Sequence, residues 1–154
     1  MSDQLSTRRG DPTDRLAVVR LFDAAMLDTE FDRLSQQLTG TDGAVLIATR
    51  GETPVGAIAL DYSSASDEKR VAVDDDTNPV RITAIAVRRR RRDRGIGRTL
   101  IEAAADRVTP RPLTARFDEE VQPFYRACSF EIGPRDDRYW GIRWPEPTAS
   151  TETA

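Results

Sequence analysis

The stretch from Val80 to Val108 constrains this chain most. An apolar run, Val80 to Val87, leads through Arg92-Asp93-Arg94-Gly95-Ile96-Gly97 to Leu100, Ile101, Ala104 and Val108, which are spaced as one helix face. The pattern predicts a strand, a glycine turn and a helix that stops before Pro110, because proline cannot continue a helix interior. Glycines let backbone approach a ligand closely, and the first amides of the following helix have no partner within it. Aligned peptide dipoles add about half a positive charge at that helix end, so the turn suits phosphate oxygens. Arg88 to Arg98 holds seven arginines and one aspartate, a local +6 in a chain of net charge −3, which leaves −9 elsewhere. A diphosphate fits the turn and its charge together. Leu100 stands where a dinucleotide fingerprint needs its third glycine, and no Gly-Lys-Ser/Thr forms a Walker loop. A solvated arginine loop or a nucleic-acid patch remains the alternative reading of the run.

Around this centre the order of elements can be read. Residues 5 to 10 suit a short strand, and Asp11-Pro12 opens a helix whose Leu16, Val19, Phe22, Ala25 and Met26 form an apolar face. A weaker helix runs through Phe31, Leu34 and Leu38 to Gly40. Ala44 to Ala48 and Pro54 to Leu60, separated by Arg50-Gly51-Glu52, predict an antiparallel hairpin. Ser63 to Pro79 is polar and acidic and is expected to be a loop or a strand extension, and mobile. Within Val80 to Val87 the large apolar residues change parity between Ile82 and Ile85, as a β-bulge or burial on both faces would explain. Leu113 to Phe117 reads as a strand and Pro123 to Cys128 as a short helix. Tyr139 to Trp144 reads as a last strand paired near Phe130 to Ile132. Residues 1 to 144 therefore suit one domain, with a disordered tail over 145 to 154.

Composition narrows the chemistry. A chain of 154 residues, 38% hydrophobic and 32% charged, can bury a core without disulfides, and no apolar run is long enough to cross a bilayer. With a polar start and no secretory pattern, a soluble cytoplasmic chain is expected. There is no histidine and a single cysteine, Cys128, so a histidine base and a Cys/His zinc site are excluded and no metal is expected.

The chain resembles the GCN5-related N-acetyltransferase (GNAT) superfamily at Arg92, Gly95 and Gly97, which match that family's Arg/Gln-x-x-Gly-x-Gly/Ala turn after its fourth strand. Val87 lies eight residues before Gly95, as in the family, and the order of elements agrees over roughly residues 5 to 144. The resemblance implies an α/β (α+β) fold: a twisted, mostly antiparallel mixed sheet of six to seven strands, splayed at the fourth and flanked by about four helices. It also implies acetyl-coenzyme A as cosubstrate. Pantetheine would lie along Ile85, Ala86 and Val87, and the diphosphate would be wrapped by Arg92, Asp93, Arg94, Gly95, Ile96, Gly97 and Arg98.

The implied reaction is N-acetylation of an amine, either a small molecule or a protein N-terminus or lysine, by direct attack on the thioester. Such a reaction needs a neutral nucleophile, an oxyanion donor and an acid for the departing thiolate. The resemblance gives the donor role to the backbone amide of Ile85. It gives the acid role to Tyr125, which with Phe130 matches the family's Tyr-x-x-x-Gly-Phe, Ser129 replacing the glycine. Where some protein-acetylating members carry a glutamate base this chain has Arg81, and Asp61, Glu119 and Glu120 are alternatives acting through water. A homodimer is common in the family; neither membrane nor nucleic acid is an expected partner. Two other readings stay open: a non-catalytic coenzyme A-sensing or partner-binding module, and an arginine-rich nucleic-acid-binding protein.

Overall fold

The protein is represented by a computed structural model that describes residues 4–24, 31–40, 42–62, 79–88, 95–135 and 138–145. Seven strands form one sheet: β1 (Leu5–Arg9), β2 (Gly43–Arg50), β3 (Thr53–Asp61), β4 (Val80–Val87), β5 (Leu113–Phe117), β6 (Glu131–Arg135) and β7 (Arg138–Arg143), in the order β1-β2-β3-β4-β5-β7-β6. Among the described residues four α-helices accompany it: α1 (Arg15–Ala24), α2 (Phe31–Thr39), α3 (Ile96–Val108) and α4 (Gln122–Ala127). All pairings are antiparallel except β4 with β5. That parallel pair is joined only at Val80–Leu113 and Arg81–Thr114, so from Ile82 onward the sheet is splayed. This is the GNAT architecture that the resemblance implies. The acidic stretch 63–78, Ala25, Met26 and the tail from residue 146 lie outside the described residues.

Alternation along the central strands makes two cores. Ile58, Leu60, Val80 and Ile82 pack against Ile96, Leu100, Ile101 and Ala104 of α3, while Val45, Ile47, Ala57 and Ala59 meet Val18, Leu21, Phe22, Leu34 and Leu38 of α1 and α2. Strands buried on both faces read as continuous apolar runs, which is why β2 and β3 lack a polar side. On α1 the expected face is corrected: Val18, Leu21 and Phe22 are buried, whereas Leu16 is 61% exposed and Val19 only partly buried. Two overlapping three- and four-residue spacings run along this helix, and docking on the sheet selects the second. The predicted opening at Asp11-Pro12 is present as a capping box ahead of a 3-10 turn, in which Asp11 accepts from the Thr13 N–H at 2.8 Å and Asp14 from the Asp11 N–H at 2.9 Å.

The parity change in β4 is a bulge at Thr83. Ala59 pairs with Ala84 and Leu60 with Ile82, leaving Thr83 without an opposite residue. Ile82 and Ile85 consequently reach the same α3-side core although three residues apart.

Candidate active-site cleft

The splay opens a cleft of about 740 Å³. Its walls are β4 from Arg81 to Val87, the start of α3 from its N-cap Gly95 to Arg98, the end of β5, and α4 with Phe124, Tyr125 and its C-cap Cys128. Ile85, Ala86, Val87, Gly95, Ile96, Gly97, Arg98 and Tyr125, far apart in sequence, are thus brought to one cavity. Arg92, Asp93 and Arg94 lie outside the described residues.

Hydrogen bonding along β4 decides which amides face the cleft. The Arg88 N–H donates to the Val55 carbonyl at 2.8 Å. With Val87 opposite Gly56 and Ile85 opposite Ile58, antiparallel alternation turns the amides of Ala84 and Ala86 toward β3 and those of Ile85 and Val87 away from it. The Val80 N–H also points to the β5 side, donating to Pro112 O at 2.8 Å. Val80 and Ile85 are an odd number of residues apart, so a regular strand could not aim both amides the same way. The bulge at Thr83 supplies the missing residue. Beyond Arg81, β5 no longer pairs with β4, which leaves the outward edge at Ile85 and Val87 open to the cleft.

At the start of α3, Gly95 is left-handed with φ +77. The first intrahelical acceptor is the Gly95 carbonyl, which takes the Thr99 N–H at 3.0 Å, so the amides of Ile96, Gly97 and Arg98 have no partner within the helix. A Cβ on Gly97 would lie 2.9 Å from the Phe124 ring, so only glycine lets α3 and α4 approach this closely. Arg98 forms an exposed pair with Glu102 at 3.2 Å.

Tyr125 is held by aromatic packing and by its own helix end. Its ring stacks on Phe117 at 4.3 Å and meets Phe124 and Phe130 edge-on, each at 5.1 Å. The motif that carries it is a helix C-cap: the Phe130 N–H donates to Tyr125 O and the Ser129 N–H to Arg126 O, both at 3.1 Å, with Ser129 left-handed at φ +73. The Phe130–Tyr125 ring contact is the hydrophobic partner of that cap. Ser129 adopts the glycine conformation at a cost of about 1 kcal/mol. Ser129→Gly is therefore expected to raise stability by up to about 1 kcal/mol, less what the unfolded chain gains in freedom, as read from urea denaturation.

No hydrogen bond to the Tyr125 hydroxyl is found among the described residues. Burial pushes its pKa well above the usual phenol range, and the nearby Cys128 adds to the shift. Burial likewise pushes the Cys128 thiol up, although Arg98 and Arg143 pull the other way. Tyr125 is thereby held as a neutral phenol, the form that can donate a proton. The sign for stability follows: the unfolded phenol titrates near 10 and the folded one higher, so this contribution is fully present below about pH 10 and lost as pH rises beyond it. Urea titrations from pH 9 to 11 should show wild-type stability falling more steeply than that of Tyr125→Phe.

Of the carboxylates weighed from sequence, only Glu120 lines the cleft; Asp61 faces Arg81 across the β3–β4 ladder, and Glu119 is exposed outside the lining. Asp118 also lines it but is paired with Arg138 at 3.0 Å. Arg81, Arg116 and Arg138 make much of the remaining wall, a concentration no local sequence pattern signals because each comes from a different strand. Among the described residues no three His, Cys, Asp or Glu side chains gather as a metal-binding group, and no helix is long and apolar enough to cross a membrane.

Known proteins share this fold. No curated protein matches the chain in sequence. Among solved structures, Arabidopsis thaliana NAA60 in complex with acetyl-CoA superposes with a TM-score of 0.74 at 17% identity, over 92% of this chain and 98% of that one. The same protein with a bisubstrate analogue gives 0.73 at 18% identity, over 92% and 98%. An N-acetyltransferase from Staphylococcus aureus gives 0.70 at 14% identity, over 92% and 97%. At such identities the likeness establishes the fold. The sequence profile of the acetyltransferase (GNAT) family matches residues 15–130, well over half of the chain, and the protein belongs to that family.

Proposed function

We propose that the protein transfers the acetyl group of acetyl-coenzyme A to an amine, and that residues 1–144 form the one domain that does so. The observation that carries this reading is the outward-facing pair of amides at Ile85 and Val87 in the same cleft as the unpaired amides of α3. Pantetheine takes the place of the missing β5 ladder along Ile85, Ala86 and Val87. The diphosphate sits on the N–H groups of Ile96, Gly97 and Arg98, with the helix dipole behind them, and the run Arg92, Asp93, Arg94 that precedes them in sequence adds net positive charge. The volume of the cleft is within the range usual for small-molecule sites.

In the reaction, the neutral amine nitrogen attacks the thioester carbonyl carbon. The Ile85 N–H donates to the carbonyl oxygen as charge develops there. The C–S bond then breaks, Tyr125 protonates the departing thiolate, the amine gives its proton to water, and water returns one to Tyr125. Because the Tyr125 phenol is a weak acid here, its proton moves as the C–S bond breaks and not before. No carboxylate base is required of an amine that arrives neutral. Arg81 and Arg116 on the wall favour that form by raising the local potential.

Isothermal calorimetry with acetyl-coenzyme A, followed by coenzyme A release over a panel of amines and peptides, tests the reading. Saturable binding and amine-dependent release are expected. Failure to bind acetyl-coenzyme A would sink it.

A further inference from the structure

We propose that Gln37, on the α2 face remote from the cleft, is a positioning residue that sets the oxyanion donor through Thr83. This rests on the acetyl-transfer reading of the cleft. Gln37 is 3% exposed, a buried amide set between Leu34 and Leu38 at 2% and 1%. Its Nε2 donates to the Leu60 carbonyl at 2.8 Å and to Thr83 Oγ1 at 3.1 Å. The Thr83 hydroxyl in turn donates to the Ala59 carbonyl at 3.3 Å. The acceptor-only Leu60 carbonyl fixes which end of the amide is nitrogen.

These three bonds enclose the bulge. Ala59 and Leu60 are the two β3 residues between which the register shifts, and Thr83 is the extra residue on β4. Gln37 ties the Leu60 carbonyl of β3 to the bulged residue of β4 through one amide nitrogen. The position of the bulge decides parity: with Thr83 in it, the amides of Ile85 and Val87 face the cleft. Were the bulge to move past Ile85, the Ile85 amide would turn toward β3. Gln37 thus reaches the reacting carbonyl only through Thr83 and β4, and touches no substrate.

The test compares Thr83→Val, which keeps the shape and removes the hydroxyl, with Thr83→Ser, which keeps the hydroxyl, and with Gln37→Leu. Steady-state kinetics use the best acceptor of the amine panel. Infrared difference spectra of bound acetyl-coenzyme A carrying 13C at the acetyl carbonyl report how strongly the donor polarises it. Thr83→Val and Gln37→Leu should lower kcat by about 10- to 100-fold with the acetyl-coenzyme A KM within about threefold. In both, the carbonyl stretch should move toward that of the free thioester, and Thr83→Ser should restore most of kcat and of the shift. Folded Thr83→Val with wild-type kcat and carbonyl frequency would overturn the proposal while leaving the acetyl-transfer reading intact. A wild-type protein that does not bind acetyl-coenzyme A would overturn both.

Discussion

Replacing Tyr125 by Phe should lower kcat by about 100-fold or more while acetyl-coenzyme A affinity stays within about threefold. The ring makes the contacts that hold α4, stacked on Phe117 and edge-on to Phe124 and Phe130, and all of them survive the substitution. The hydroxyl makes no hydrogen bond among the described residues, so its removal strands no buried partner and should change stability by no more than about 0.5 kcal/mol. What is lost is the proton for the thiolate, and the loss should appear in kcat. Poor leaving groups should suffer most, so thioesters of more acidic thiols should narrow the gap between wild type and variant. Equal turnover in the two proteins would remove Tyr125 from the mechanism. A wild type that binds acetyl-coenzyme A but turns over no amine would instead favour a coenzyme A sensor.

Gly97→Val should weaken acetyl-coenzyme A binding by about 100-fold, about 2.7 kcal/mol, measured by calorimetry. The first added carbon already falls 2.9 and 3.1 Å from two Phe124 ring atoms, closer than packed carbons tolerate, so α3 must tilt or the ring must swing into the cleft. Either movement displaces the unpaired amides of Ile96, Gly97 and Arg98 from the diphosphate. Overpacking of this kind costs about 1–3 kcal/mol of stability as well. Gly95→Ala separates steric from conformational causes. No atom lies within 4 Å of its added carbon, but φ +77 strains any L side chain by about 1–2 kcal/mol, so a smaller loss of affinity is expected. Wild-type affinity in Gly97→Val would mean that the diphosphate does not use this helix end.

Local chemistry made much of this fold legible before any coordinates. The helix stop before Pro110, the hairpin around Gly51 and the parity change between Ile82 and Ile85 are each visible within a few residues and each is present, the last as a bulge that only the β3 register decides. The face of α1 was not legible in this way. Leu16-Val19-Phe22 and Val18-Leu21-Phe22 satisfy helical periodicity equally well, and the choice belongs to Val45, Ile47, Ala57 and Ala59 beneath the helix. Gln37 went unnoticed for a related reason. On α2 it reads as a polar residue beside an apolar stripe, and only the approach of Leu60 and the bulged Thr83 from two strands gives its buried amide partners.

The sequence by itself determined the strand–turn–helix around Gly95 and Gly97, the tyrosine motif, and through their order the family. Those are short-range patterns of backbone freedom and periodicity, and a single chain displays them directly. Only the tertiary structure decided that β4 leaves β5 after Arg81, that the bulge aims Ile85 and Val87 into the opening, and that Tyr125 and the α3 amides meet across it. Strand pairing, register and splay depend on contacts between segments distant in sequence, whose geometry no local pattern encodes.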